Sequence, residues 1–196
     1  MNPRKHTFGN LPEISQLRRE LARVRRIKAG WVNLGNLLYT LTVAAAVAVL
    51  VAILALPILR IYGNSMTPTL REGDFVMSVK GSEFQAGDLV VFYLGNNVLV
   101  KRYIAGPGQW VDIDGNGNVY VDGELLDEPY IMEKALGDCD ITLPYQVPEN
   151  RIFCMGDHRS TSVDSRSTTV GCIQKDQIIG KIVFRIWPFG EAGPLK

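Results

Sequence analysis

A serine hydroxyl becomes a nucleophile once a neighbouring base takes its proton, so a chain offering serines and a desolvated lysine can support acyl transfer. Three segments supply these residues. The first, Gly63-Asn64-Ser65-Met66-Thr67-Pro68-Thr69, is a glycine-bounded turn that presents Ser65. Taken alone, such a serine also serves as an ordinary turn residue. The second, Val98-Leu99-Val100-Lys101-Arg102-Tyr103-Ile104, alternates as a strand, which puts Lys101 on one face with Leu99 and Tyr103. Burial there disfavours the ammonium: lowering a lysine from about 10.4 to near 8 corresponds to roughly 3 kcal/mol of differential stabilisation. The neutral amine could then accept a proton from serine, whereas a lysine snorkelling from an edge strand would fit the same pattern. The third segment, Gly156-Asp157-His158-Arg159-Ser160-Thr161-Ser162-Val163-Asp164-Ser165-Arg166, crowds hydroxyls and charges behind the apolar stretch Arg151–Met155. An Asx-rich turn would look similar.

These segments need a scaffold, and the residues after 60 read as strands. Phe75, Met77 and Val79 alternate, Asp88 to Leu94 is an apolar run, and Val98 to Ile104 alternates again. Gly95, Asn96 and Asn97 join the last two as a hairpin. Asp114-Gly115 and Asn116-Gly117 tolerate positive φ and predict a second hairpin between Trp110–Ile113 and Val119–Val121. Arg151–Met155 and Ile178–Trp187 read as two further strands. The absence of any long amphipathic helical pattern here predicts a mainly β domain over 61–196.

The 196 residues suit one such domain with an accessory segment. A hydrophobic share of 46% and a charged share of 21% exclude a disordered chain. The net charge of +1 argues against a nucleic-acid partner, but it conceals a division. Residues 1–28, read as a cytoplasmic arm, hold eight basic and two acidic residues, whereas residues 60–196 hold 13 basic and 18 acidic. Between Lys28 and Arg60 there is no charge, and the core of that segment, Leu37 to Leu59, is long enough to cross about 30 Å of hydrocarbon as a helix. A cleaved leader would have an apolar core of only roughly 7–15 residues. Residues 29–60 are therefore expected to cross the cell membrane once. The basic flank would hold the N-terminus in the cytoplasm and leave the acidic domain outside. In the arm, Ile14, Leu17, Leu21 and Val24 recur at helical spacing, which suits contact with anionic lipid or with a partner as well as a merely solvated flank. Cys139, Cys154 and Cys172 would share an oxidising compartment, and their odd number leaves at least one unpaired. No spacing of Cys with His6 or His158 suggests a metal site, and neither metal nor cofactor is expected.

Taken together, Ser65-Met66-Thr67-Pro68-Thr69, the strand at Lys101-Arg102 with the following Gly106-Pro107-Gly108, and the loop from Gly156-Asp157 to Ser162 and Asp164-Ser165-Arg166 resemble the bacterial type I signal peptidases. The likeness runs from about residue 37 to 187 and includes the preceding span and the order of the motifs. It implies a catalytic β domain of coiled antiparallel sheets, with Ser65 as nucleophile and Lys101 as general base. By the same resemblance Ser162 orients the amine, Asp164, Arg166 and Arg102 form structural ion pairs, and Ile61, Tyr62, Met66, Leu70, Leu99 and Val100 line shallow pockets for small residues. Departures from the family pattern are Gly63, where some relatives carry a serine as second oxyanion donor, His158 and Thr161 in place of asparagines, and Gln109 in place of aspartate.

The implied activity is removal of signal peptides from exported precursors after an A-x-A-like site by a membrane-bound serine endopeptidase, monomeric in the membrane. Two other readings fit parts of the pattern. One is a non-hydrolytic relative serving pilus or surface-protein assembly. The other is a self-cleaving regulator, for whose DNA-binding domain residues 1–28 are too short.

Overall fold

The computed structural model describes residues 14–81 and 83–195; residues 1–13 of the basic arm, Arg4, Lys5, His6 and Glu13 among them, lie outside the described residues. The chain divides into two compact units, one up to Ala52 and the other from Ile53.

A single helix, α1 (Ile14–Ala55), makes up most of the first unit. No proline occurs between Pro12 and Pro57, and the alanines and leucines between them are strong helix formers. Its 42 residues extend about 63 Å at ~1.5 Å each, and it is long and apolar enough to cross a membrane. The apolar run to Leu59 predicts a helix of that length, but α1 ends at Ala55. Pro57 lacks the N–H that a continuing helix needs and disfavours the helical conformation of Leu56. The last apolar residues join a sheet instead, as β1 (Ile58–Arg60), with Ile58 opposite Met77 and Arg60 opposite Phe75.

The second unit is made of two antiparallel sheets. Its longer strands are β2 (Phe75–Val79), β3 (Leu89–Leu94), β4 (Asn97–Ala105), β5 (Trp110–Ile113) and β6 (Val119–Val121). Next come the two-residue strands β7 (Glu124–Leu125) and β8 (Tyr145–Gln146), then β9 (Arg151–Met155), β10 (Ile173–Gln174), β11 (Ile178–Trp187) and β12 (Gly193–Pro194). The larger sheet has the order β1-β2-β11-β3-β4-β9-β10, with β12 also on β11; the smaller has the order β7-β6-β5-β8.

The pattern of β3 explains its central place. Leu89 and Val91 enter one cluster with Ile61, Met66, Leu70, Val76 and Ile182, while Val90 and Phe92 enter another with Ile152, Cys154 and Ile173. Both faces are buried, so the strand is a continuous apolar run rather than an alternation. β3 and β4 are joined by Gly95-Asn96 alone, with Asn97 already opposite Leu94 in the ladder and Gly95 at φ +59°. A two-residue hairpin needs that positive φ, so the turn is one residue shorter than the sequence suggests. A third cluster, including Ile104, Val111, Ile113, Val119, Phe153 and Met155, fastens the smaller sheet to β4 and β9.

All three cysteines are free thiols. Ile173 stands opposite Ile152, so Cys172 and Cys154 point to opposite faces of the β9–β10 pair. They enter different core clusters, which accounts for their not being bridged.

Candidate active site

The turn bearing Ser65 is held at both ends by backbone bonds. Ile61 N–H donates to Asp74 C=O (2.8 Å) and Gly73 N–H to Ile61 C=O (2.9 Å) before and after it. Inside it, Thr67 donates from its N–H and its hydroxyl to Asn64 C=O, and Leu70 N–H donates to Met66 C=O. The carbonyl of Ser65 accepts from His158 N–H at 3.1 Å, which joins this turn to the loop after β9. The His158 ring supports the joint, with Nδ1 3.1 Å from Thr67 Oγ1.

Lys101 lies on β4 opposite Val90, and only 4% of it is exposed. Its Nζ donates to Ser162 Oγ at 2.9 Å. Burial pushes the amine below its ordinary pKa; Asp164 opposes that shift and Arg166 adds to it. Asp164 takes the opposite part in the same loop. Burial would raise its pKa, but hydrogen bonding and charge from Arg166, with the Gly156 N–H at 2.9 Å, hold it below the usual carboxylate range. The Arg166–Asp164 pair is bidentate, with Nε to Oδ1 and Nη2 to Oδ2 both at 2.8 Å, and Arg166 also donates to Leu136 C=O at 2.6 Å. The loop carrying Ser162 is thereby fixed to the segment between β7 and β8.

Arg102, the next residue on β4, points the other way. Its Nε donates to Asp157 Oδ1 at 3.0 Å and its Nη2 to Asp157 Oδ2 at 2.6 Å, with both side chains fully buried. Thr69 Oγ1 donates to the same carboxylate at 2.5 Å and accepts from Arg102 at 3.2 Å. The guanidinium also donates to Gly87 C=O and lies 3.8 Å from the centroid of the Tyr130 ring. One arginine thus ties the Ser65 turn, the lysine strand and the serine loop together.

A second strut was not legible in the sequence. Arg159 forms a fully buried ion pair with Glu128 and donates from Nε to Gly156 C=O at 3.1 Å. Tyr130 donates its hydroxyl to Glu128 at 3.1 Å, and burial, with the Glu128 charge, pushes that phenol well up. Glu128 and Arg159 stand far apart in the chain, and no periodicity links them. Gln109, at the position where the family usually has aspartate, accepts from Gly106 N–H at 2.8 Å and donates to Asp122 at 2.9 Å, bracing the turn after β4.

At the centre, Gly156 leaves space that a side chain would fill. A Cβ there would come 2.5 Å from Ser162 Cβ and 2.6 Å from Ser65 C=O, so both serine segments close around this glycine. Gly156→Ala is expected to displace Ser162 or the Ser65 turn and to lower kcat at least tenfold, about 1.4 kcal/mol in the barrier, with a modest loss of thermal stability. Wild-type turnover in Gly156→Ala would show that this packing does not matter.

Ser65, Ile61, Tyr62, Met66, Leu99 and Val100 line one cleft of about 610 Å³. Leu70 is the exception among the expected pocket residues. It is 0% exposed and packs in the core with Ile61, Met66 and Val91, behind the cleft rather than in its wall.

Residues 34–187 match the family described as signal peptidase, peptidase S26. Signal peptidase IB of Staphylococcus aureus is 38% identical over 152 residues, covering 67% of this chain and 78% of its own length. Signal peptidase I S of Bacillus subtilis (strain 168) is 41% identical over 141 residues, with 66% and 76% covered. A crystal structure of a signal peptidase I from Enterococcus faecalis V583 aligns at 26% identity with a TM-score of 0.42, over 51% of this chain and 97% of that one. The sequence matches define a serine endopeptidase. The chain belongs to the signal peptidase family, peptidase S26, whose activity is signal peptide removal and whose substrates are exported precursors. The apolar helix α1 fits a membrane-anchored member of it.

Proposed function

We propose that this chain removes N-terminal signal peptides after small, A-x-A-like residues, using Ser65 as nucleophile and Lys101 as general base. The observation that carries the reading is the buried Lys101 amine, held by Ser162 at 2.9 Å and lowered in pKa by burial. The neutral amine takes the Ser65 proton as Oγ attacks the scissile carbonyl, and the Ser65 N–H donates to the oxyanion. The ammonium then protonates the leaving amine. Water, deprotonated by the regenerated amine, hydrolyses the acyl-enzyme. Ser162 orients the amine, while Asp164, Arg166 and Arg102 fix the geometry.

The substrate would bind as an added strand. Among the described residues β4 pairs with β9 only from Arg102 onward, so Asn97 to Val100 have no strand on that side. Ile61, Tyr62, Met66, Leu99 and Val100 would then give shallow apolar pockets for small side chains, with Leu70 as backing.

Purified in detergent, the chain is expected to cut a synthetic precursor after its A-x-A site, and Ser65→Ala to abolish cutting. Ser162→Ala should lower kcat about tenfold to a hundredfold, roughly 1.4–2.7 kcal/mol, with KM little changed. A folded wild-type chain that binds the precursor without cutting it would favour the non-hydrolytic assembly reading.

The orientation we propose puts the basic arm in the cytoplasm and the β unit outside, following the excess of eight basic over two acidic residues in positions 1–28. A protease added to intact cells should spare the arm and reach only residues beyond about Arg60. External cleavage within the arm would reverse this topology.

A further inference from the structure

The arm ahead of the span carries a pattern that the peptidase reading does not use. α1 is already helical at Ile14, and Ile14, Leu17, Leu21 and Val24 form an exposed apolar stripe on it. Their spacing of three, four and three places Ile14 and Leu21 at heptad positions a, and Leu17 and Val24 at d. The charges beside this stripe are sorted by side. Arg18 and Arg25 stand at e, whereas Glu20 stands at g.

In a parallel two-stranded coiled coil, a g residue faces the e residue five positions further on in the other helix. Glu20 would thus meet Arg25 of a second copy. The contact of Glu20 within its own helix, to Arg23 at 3.8 Å, is exposed on both sides and therefore weak, so the carboxylate can turn to a partner. We propose that the arms of two copies pair in register as a short parallel coiled coil, making the membrane-anchored protein a dimer in place of the monomer expected from sequence.

The charge arrangement selects this occupant over a lipid surface. A helix lying on anionic lipid carries cations along its polar face and profits from them on both flanks of the apolar stripe, but here Glu20 stands on one flank and both arginines beside the stripe stand on the other. Copies inserted through the same kind of span also share one direction, so their arms are parallel. Two heptads are short for a coiled coil free in solution. Confinement to one membrane raises the effective concentration of the second arm. Continuing the same register along α1 places Lys28 at a, where a single lysine specifies two strands in register. It then places Gly35, Thr42 and Ala45 on the seam within the span together with the larger Trp31 and Leu38, and the small residues allow close approach locally.

The test uses the full chain in liposomes of zwitterionic phosphatidylcholine, with oxidative cross-linking of Leu17→Cys, Leu21→Cys and Arg19→Cys variants. The unsubstituted chain gives the background from its own thiols. Leu17→Cys and Leu21→Cys should give disulfide-linked dimers, and Arg19→Cys, at the outward position f, should stay near background. In the Leu21→Cys chain, Glu20→Arg should reduce the dimer yield several-fold, because arginine then faces Arg25 of the other copy. Glu20→Arg combined with Arg25→Glu should restore it. Equal cross-linking at all three positions would overturn the proposal. So would an undiminished yield with Glu20→Arg; if that variant also bound phosphatidylglycerol vesicles more tightly, the arm would be a lipid-binding surface. Peptidase activity is not the readout, so failure here leaves the catalytic assignment standing.

Discussion

Lys101→Arg is expected to lose about 10²–10⁴-fold in turnover, the contribution of a positioned general base, while folding normally. Guanidinium stays protonated at every accessible pH and cannot take the Ser65 proton. In the wild type, the same reasoning fixes the direction of the pH profile. Burial lowers the Lys101 pKa, so the neutral form proposed as the base gains population as pH rises, and kcat/KM should increase through an apparent pKa below that of a free lysine. The profile of a slow but active Ser162→Ala enzyme should be displaced from that of the wild type, since Ser162 Oγ accepts from the amine. A Lys101→Arg enzyme with near-wild-type turnover, and native near-ultraviolet circular dichroism, would remove the lysine from the base position.

Asp157→Ala should cost about 3–5 kcal/mol of stability in the β unit, the usual result of leaving one member of a buried ion pair uncompensated. Arg102 is fully buried, and its partners besides Asp157 include Thr69, Gly87 C=O and the Tyr130 ring. Thermal melting should drop by roughly 10–20 °C, following the scaling of melting point with stability. Thr69→Val should cost much less, because the bidentate pair survives. A melting point for Asp157→Ala within a few degrees of the wild type would show that the guanidinium finds water or another anion.

How much of this was legible in the sequence depended on whether a segment follows its own periodicity. β5, β6, β9 and β11 match their expected bounds, because alternation and the Asp114-Gly115 and Asn116-Gly117 turns act locally. β7, β8, β10 and β12 have two residues each, too few to show a period, and they exist through pairing alone. β1 was hidden in an apolar run that reads equally well as the end of a span, although Pro57 was the available signal. At the site, Ser65, Lys101 and Ser162 stood out through the joint order of three motifs. Leu70 did not separate from the pocket residues, since a wall and the core behind it have the same composition. The Glu128–Arg159 strut left no trace because a long-range ion pair imposes no local pattern.

The adjacency of Lys101 and Arg102 on β4 carries a consequence for molecules that fold wrongly. Strand side chains alternate, so a slip of β4 by one residue against β3 exchanges the two faces. With Arg102 in the place of Lys101, the guanidinium would stand beside Ser162, Tyr103 would stand against Asp157, and the amine would move to the place of Val100. Such a copy holds a permanent cation where the proposed base belongs and loses the bidentate clamp as well. Misregistered chains would therefore be inert and unstable, and a secreting cell would be spared a stray hydrolase among its exported proteins. The same logic makes the length of the Gly95-Asn96 turn, which sets that register, as critical as the residues that meet the substrate.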